Sequence, residues 1–156
     1  MPKRGDGTLP TGTTVLVDFV AFRKSVQGVA SGSVLSPHTP MSKKIIAVVG
    51  ATGAQGGGLV RAILNDPAGG FAVRAITREV NSDKARALAR LGAEVVAGDV
   101  DDEASLKRAF TGAHGAYCVT FFWAHFSPAK EQAEAGAMAR AAKAAGVKHV
   151  IWSTLE

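Results

Sequence analysis

Of 156 residues, 47% are hydrophobic and 20% charged, which supplies one domain with a packed core and excludes a chain disordered throughout. No uncharged apolar run approaches the roughly 20 residues of a membrane span. A single cysteine, Cys118, excludes an intramolecular disulfide or a multi-cysteine metal site, and a reducing, cytoplasmic setting is expected. The net charge of +5 would ordinarily suggest an anionic partner, but residues 1–44 carry +4 of it. The other 112 residues set 12 basic against 11 acidic side chains, so neither a specific nucleic acid nor a membrane is expected.

Residues 1–42 read as an extension outside the fold. They are rich in Gly, Ser, Thr and Pro up to residue 40, and Asp18 breaks their one apolar stretch, residues 15–22, too early for a secretory signal. Disorder is one reading; an upstream misreading of the start is the other, because Met41 opens the regular region. The basic residues of this segment leave a nucleic-acid or lipid binder as a third-ranked alternative for the whole chain.

From Lys43 onward, β-branched runs alternate with alanine-rich amphipathic segments, the rhythm of βαβ units around a parallel sheet. The spacing predicts a strand over 45–49, a glycine-rich turn, and a helix to about Asn65. A strand over 71–77 follows the Asp66-Pro67 break. Asn81 or Ser82 caps a helix to Leu91, with Leu88 and Leu91 on one face and Gly92 as its stop. A strand over 94–97 leads to Asp101, Asp102 and Glu103, acidic residues suited to a helix start, and that helix ends near Phe110. Residues 116–122 read as the fourth strand. Ser127-Pro128 opens a long helix to about Ala145, Gly146 ends it, and 147–152 is the fifth strand. The pattern is α/β: a Rossmann-like, doubly wound parallel sheet in the order 3-2-1-4-5 over residues 43–156, incomplete at its C-terminal end because such folds have a second half.

Gly50-Ala51-Thr52-Gly53-Ala54-Gln55-Gly56 joins the first strand to the first helix with the spacing G-x-x-G-x-x-G. Glycine permits the tight turn and close backbone approach, and free N–H groups at the helix start attract phosphate; a ligand-free turn is the alternative. No Lys-Ser or Lys-Thr follows, which disfavours a nucleoside triphosphate loop. Thr77-Arg78 ends the second strand, with Arg78 22 residues beyond Gly56. A guanidinium there suits a 2′-phosphate, so NADP(H) is preferred and NAD(H) remains possible. Asp99-Val100 either meets adenine or forms a turn near a helix cap. Thr120, Phe121 and Phe122, with Trp123, either line the nicotinamide end or pack in the core. Ser153 is a weak candidate for a catalytic or ribose-contacting hydroxyl. His114, His125 and His149 lack metal-ligand spacing and read as solvated, Gly136 suggests close packing against a neighbour, and Cys118 reads as buried and inert.

With these residues in place, 43–156 resembles the NmrA-like family, atypical members of the short-chain dehydrogenase/reductase superfamily. The likeness rests on Gly50 to Gly57, Thr77-Arg78, Gly98-Asp99 with Asp101-Asp102, Val119-Thr120 with Trp123, and His149-Val150 with Ser153 and Leu155-Glu156. The resemblance implies that the glycine turn holds pyrophosphate and Arg78 the 2′-phosphate, with Asp99-Val100 by adenine and 120–122 by nicotinamide. It also implies an incomplete Ser-Tyr-Lys set and a role as redox sensor or regulator with a protein partner, or as a reductase of quinones or related substrates. A family Asn-Tyr pair near nicotinamide is Phe121-Phe122 here, and no Tyr-x-x-x-Lys motif is present.

Overall fold

The computed structural model describes residues 42–153, so the expectations for the N-terminal extension and for Leu155-Glu156 lie outside the described residues. Five strands form one parallel sheet: β1 (Lys44–Val48), β2 (Phe71–Thr77), β3 (Glu94–Ala97), β4 (Gly115–Val119) and β5 (His149–Ser153), in the order β3-β2-β1-β4-β5. The helices are α1 (Ala54–Leu64), α2 (Asp83–Arg90), α3 (Glu103–Phe110), α4 (Phe122–His125) and α5 (Pro128–Ala144). β1 is the middle strand, with Val48 opposite Ala75 of β2 and Tyr117 of β4.

Alternation along β1 divides the core in two. Ala47 and Val49 point to one face, where Ile76, Leu106, Phe110, Cys118 and Met138 are buried. Val48 points to the other, with Val60, Val73, Ala75 and Leu88. Both faces are therefore covered, which is why the strands read as nearly continuous apolar runs. Each large side chain buried this completely contributes about 1.5–3 kcal/mol. Among the described residues no helix is long and apolar enough to cross a membrane.

The helix starts follow the sequence. Ser82 accepts from the Ala85 N–H, Asp102 from the Ala104 and Ser105 N–H groups, and Ser127 from the Lys130 N–H, with Pro128 at the first helical position. The helix ends bring two corrections with one cause. After α2, the Gly92 N–H donates to Ala89 O and the Ala93 N–H to Leu88 O; after α5, Gly146 and Val147 repeat this arrangement on Lys143 and Ala142. These are Schellman closures. In the first, Ala93 takes the buried place beside Leu88, and Leu91, expected on the Leu88 face, is 55% exposed. In the second, Val147 is used by the closure, so β5 begins at His149.

A third correction concerns 116–122. β4 ends at Val119, whose partner Ser153 closes the ladder, and Phe121 turns away at φ −120°, ψ 48° before Phe122 opens α4. An apolar run of this length reads alike as strand or helix, and periodicity does not separate the two. At Gly136 the neighbour is not another backbone: the guanidinium of Arg140 fills the space while donating to Glu103 of α3 at 2.9 Å.

Candidate functional site

All the strands point their C-terminal ends to one edge, and the glycine turn leaves β1 there. Gly50 takes φ 65°, and its carbonyl accepts from the Gly53 N–H at 2.9 Å. A side chain at Gly56 would set its Cβ 2.4 Å from Gly50 O, so helix and turn approach this closely only with glycine. Gly53 caps α1 with extended backbone, and the first turn holds no acidic side chain. The N–H groups of Ala54, Gln55 and Gly56 thus stand at an open helix start, with the positive end of the helix dipole behind them.

Two cavities flank this turn and share Gly50, Gly53, Phe121 and Ala124. Phe121 stands in the common wall, its ring tip 3.0 Å from where a Cβ on Gly50 would lie. The first cavity, of about 520 Å³, opens at the end of β2 and takes in Thr52, Thr77, Arg78, Gly98 and Val100. Arg78 is exposed and has no ion-pair partner among the described residues, so its guanidinium is available to an anion. Asp99 stands in a turn, its Oδ1 accepting from the Asp101 N–H at 3.1 Å and its own N–H donating to Ser105 Oγ at 2.9 Å, while its neighbours Gly98 and Val100 line the cavity. Glu79 also stays outside the lining, its N–H held by Thr77 Oγ1 at 3.3 Å.

The second cavity, of about 850 Å³, lies between the turn and the ends of β4 and β5. Ala54, Gln55, Gly56, Thr120, Phe121, Phe122, Trp123, Trp152 and Ser153 border it, bringing the glycine turn together with both candidate groups from the far strands. Its hydroxyls are already committed. Ser153 Oγ donates to Gln55 Oε1 at 2.9 Å and Thr120 Oγ1 to Glu131 Oε1 at 2.6 Å; Tyr117, outside the lining, donates its hydroxyl to the same Gln55 oxygen at 3.2 Å. Gln55 is therefore more than a turn residue, since it ties α1 to β4 and β5. Ala51 is fully buried beneath the turn, where it packs rather than lines.

Four polar residues of the first cavity, Lys84, Lys130, His125 and Glu134, were not read as site residues in the sequence. Lys130 pairs with Asp101 at 3.3 Å across the opening. Glu134 carried a signal, because positions 134, 137, 138, 141 and 142 follow helical periodicity and are all buried, which sets a carboxylate on an apolar face. His125, expected to be solvated, has only 13% of its side chain exposed and lies against Glu134. The cause is α4: without that helical turn, His125 read as part of a loop.

A doubly wound parallel sheet with an open glycine turn at its switch point and a free arginine after β2 defines a nucleotide-binding domain of the dinucleotide type. The chain belongs to the NmrA-like family, whose sequence pattern matches residues 42–156. It is 39% identical over 121 residues to the NmrA-like family domain-containing oxidoreductase notA' of Aspergillus versicolor, covering 74% of this chain and 33% of that protein. It is 40% identical over 114 residues to the oxidoreductase FrzB of Cladobotryum sp, covering 70% and 33%. The chain thus spans about a third of the length of the curated relatives it matches. Among solved structures, Citrobacter sp. triphenylmethane reductase complexed with NADP(H) superposes with a TM-score of 0.61 at 35% identity, over 69% of this chain and 36% of the other. NmrA, a negative transcriptional regulator, in complex with NADP gives 0.60 at 32%, over 74% and 34%.

Proposed function

We propose that this chain is an NADP(H)-binding NmrA-like domain that works by sensing or regulation rather than by catalysis. The observation that carries the choice of cofactor is the unpaired Arg78 at the mouth of a cavity that begins on the glycine turn. The observation that favours binding over chemistry is the state of the second cavity, where Ser153 and Thr120 both donate their hydroxyl protons into the protein. A proton donor for a reduced substrate has to point at that substrate. Relatives complexed with NADP(H) and with NAD support the cofactor class, and the regulator among them supports the role.

Titration of the chain with NADPH and NADH by fluorescence tests the reading. Arg78→Ala should weaken NADPH about tenfold to a hundredfold, as loss of a charge-assisted bond to phosphate does, and leave NADH nearly unchanged. Equal affinities for both cofactors in both proteins would sink it.

The second reading is an NAD(P)H-dependent reductase, and its specific support is the aromatic wall of the larger cavity, Phe121, Phe122, Trp123 and Trp152, beside curated relatives named as oxidoreductases. Quinone-dependent oxidation of NADPH by this chain would establish that reading over the first.

A further inference from the structure

The two cavities beside the glycine turn differ in charge. Arg78, Lys84 and Lys130 all border the smaller one. Among the described residues around the larger one, Glu131 alone carries a charged side chain. It stands half-buried in the first turn of α5, where the helix dipole favours a negative charge. Its Oε1 accepts from Thr120 Oγ1 at 2.6 Å, which fixes the carboxylate at the cavity wall. Its Oε2 has no hydrogen-bond or ion-pair partner among the described residues, and solvent reaches it, in contrast to the sealed Oε2 of Glu134. The larger cavity is thereby offered a charged acceptor that the protein has not matched with a cation.

The wall around this carboxylate is aromatic: Phe121, Phe122, Trp123 and Trp152 border the same space. Ring faces stack with flat ligands and attract positive charge, so the rings and Glu131 favour the same kind of molecule. An anion would meet Glu131 with no lysine or arginine to offset it, and a neutral apolar ring would strip water from the carboxylate and return nothing. The volume, about 850 Å³, is that of a small-molecule site. We propose that the larger cavity binds a flat aromatic cation, with its positive charge against Glu131 and its ring on the Phe122, Trp123 and Trp152 wall. This goes beyond the dinucleotide reading, adding an occupant next to the nicotinamide end, and the chemistry is the same whether that occupant is the effector of a sensor or the substrate of a reductase.

The chain's two tryptophans, Trp123 and Trp152, both border this cavity, so saturable quenching of tryptophan fluorescence reads its occupancy. The probes are three bicyclic compounds of similar size, N-methylquinolinium as the cation, its uncharged parent quinoline, and naphthoate as the anion, each titrated first without cofactor. The cation should bind at least about tenfold more tightly than quinoline, and naphthoate should be the weakest. Glu131→Gln keeps the acceptor for Thr120 and removes the charge, so it should bring the cation and quinoline within about threefold of each other. Saturating NADPH should leave saturable quenching by the cation in place. Equal binding of the cation and quinoline to the wild-type chain overturns the proposal, as does a tenfold ratio that survives in folded Glu131→Gln. Complete displacement of the cation by NADPH also overturns it, because the cation would then occupy only the cofactor's own place. Failure of NADPH to bind sinks the dinucleotide reading and leaves the comparison of the probes standing. Should Glu131→Gln not fold, the wild-type ratio of cation to naphthoate decides.

Discussion

The turn after β1 and the segment after β4 face each other across one cleft, yet they are built in opposite ways. The glycine turn works through its backbone: its N–H groups point outward, and the space that side chains would fill is taken by Gly50 O, 2.4 Å from a Cβ at Gly56. The segment from Thr120 to Ser127 works through side chains, with the rings of Phe122, Trp123 and Phe126 in mutual edge contact and Trp123 and Phe126 70% and 68% exposed. Phe126 even takes φ 51°, a left-handed conformation rare for a bulky residue, while its N–H donates to Phe122 O at 2.7 Å. A backbone site suits a ligand part that is always the same, such as pyrophosphate. A side-chain surface suits whatever varies from one relative to the next.

The sharpest way to break this contrast is at Gly56. Adding one methyl as Gly56→Ala forces the start of α1 away from the Gly50 carbonyl, backbone against backbone, with no flexible side chain to yield. Overpacking of this kind should cost about 3 kcal/mol, read as a lower urea midpoint, and should abolish measurable NADPH binding. A variant that kept its midpoint and its affinity would mean that the turn is not the rigid element described above.

The floor beneath the aromatic segment is as rigid as the turn. Cys118 of β4 is fully buried, and desolvation pushes its thiol up from 9.0 to about 12. The folded chain holds this proton where the unfolded chain releases it. Its contribution to stability is therefore complete below pH 9 and is lost as pH rises toward 12, by about 1.4 kcal/mol per pH unit. Urea midpoints of the wild type and Cys118→Ala should converge over that window, since the variant lacks this slope. Parallel curves would show that β4 opens to solvent beneath the rings. Iodoacetamide should correspondingly label Cys118 only after unfolding.

The same contrast decides what was legible beforehand. Strand order, the glycine turn and Arg78 follow from local rules of spacing and geometry, and the structure places each at the edge those rules imply. Ser82, Asp102 and Ser127 were readable as caps for the same reason. What escaped depends on contacts distant in sequence. Asp99, read either as an adenine contact or as a turn residue, has one carboxylate oxygen taken by the Asp101 N–H, and Ser153 met Gln55 across 98 residues of chain. His125 and Glu134 became a pair only once α4 folded where a loop was expected.

The smallest effect is expected at the most exposed ring. Trp123 is 70% exposed on the four-residue α4, in edge contact with Phe122 at 5.5 Å and Phe126 at 5.7 Å between centroids, so little of its surface leaves water on folding. Trp123→Ser should change stability by no more than about 0.5 kcal/mol in the same urea titration. NADPH affinity should also stay within about twofold, because the side chain borders the larger cavity and not the one that holds Arg78. An aromatic compound that quenches tryptophan fluorescence on binding should do so less in this variant than in the wild type. A stability loss of about 2 kcal/mol would instead make Trp123 part of the core, and the segment after β4 would then be structural in the same sense as the glycine turn.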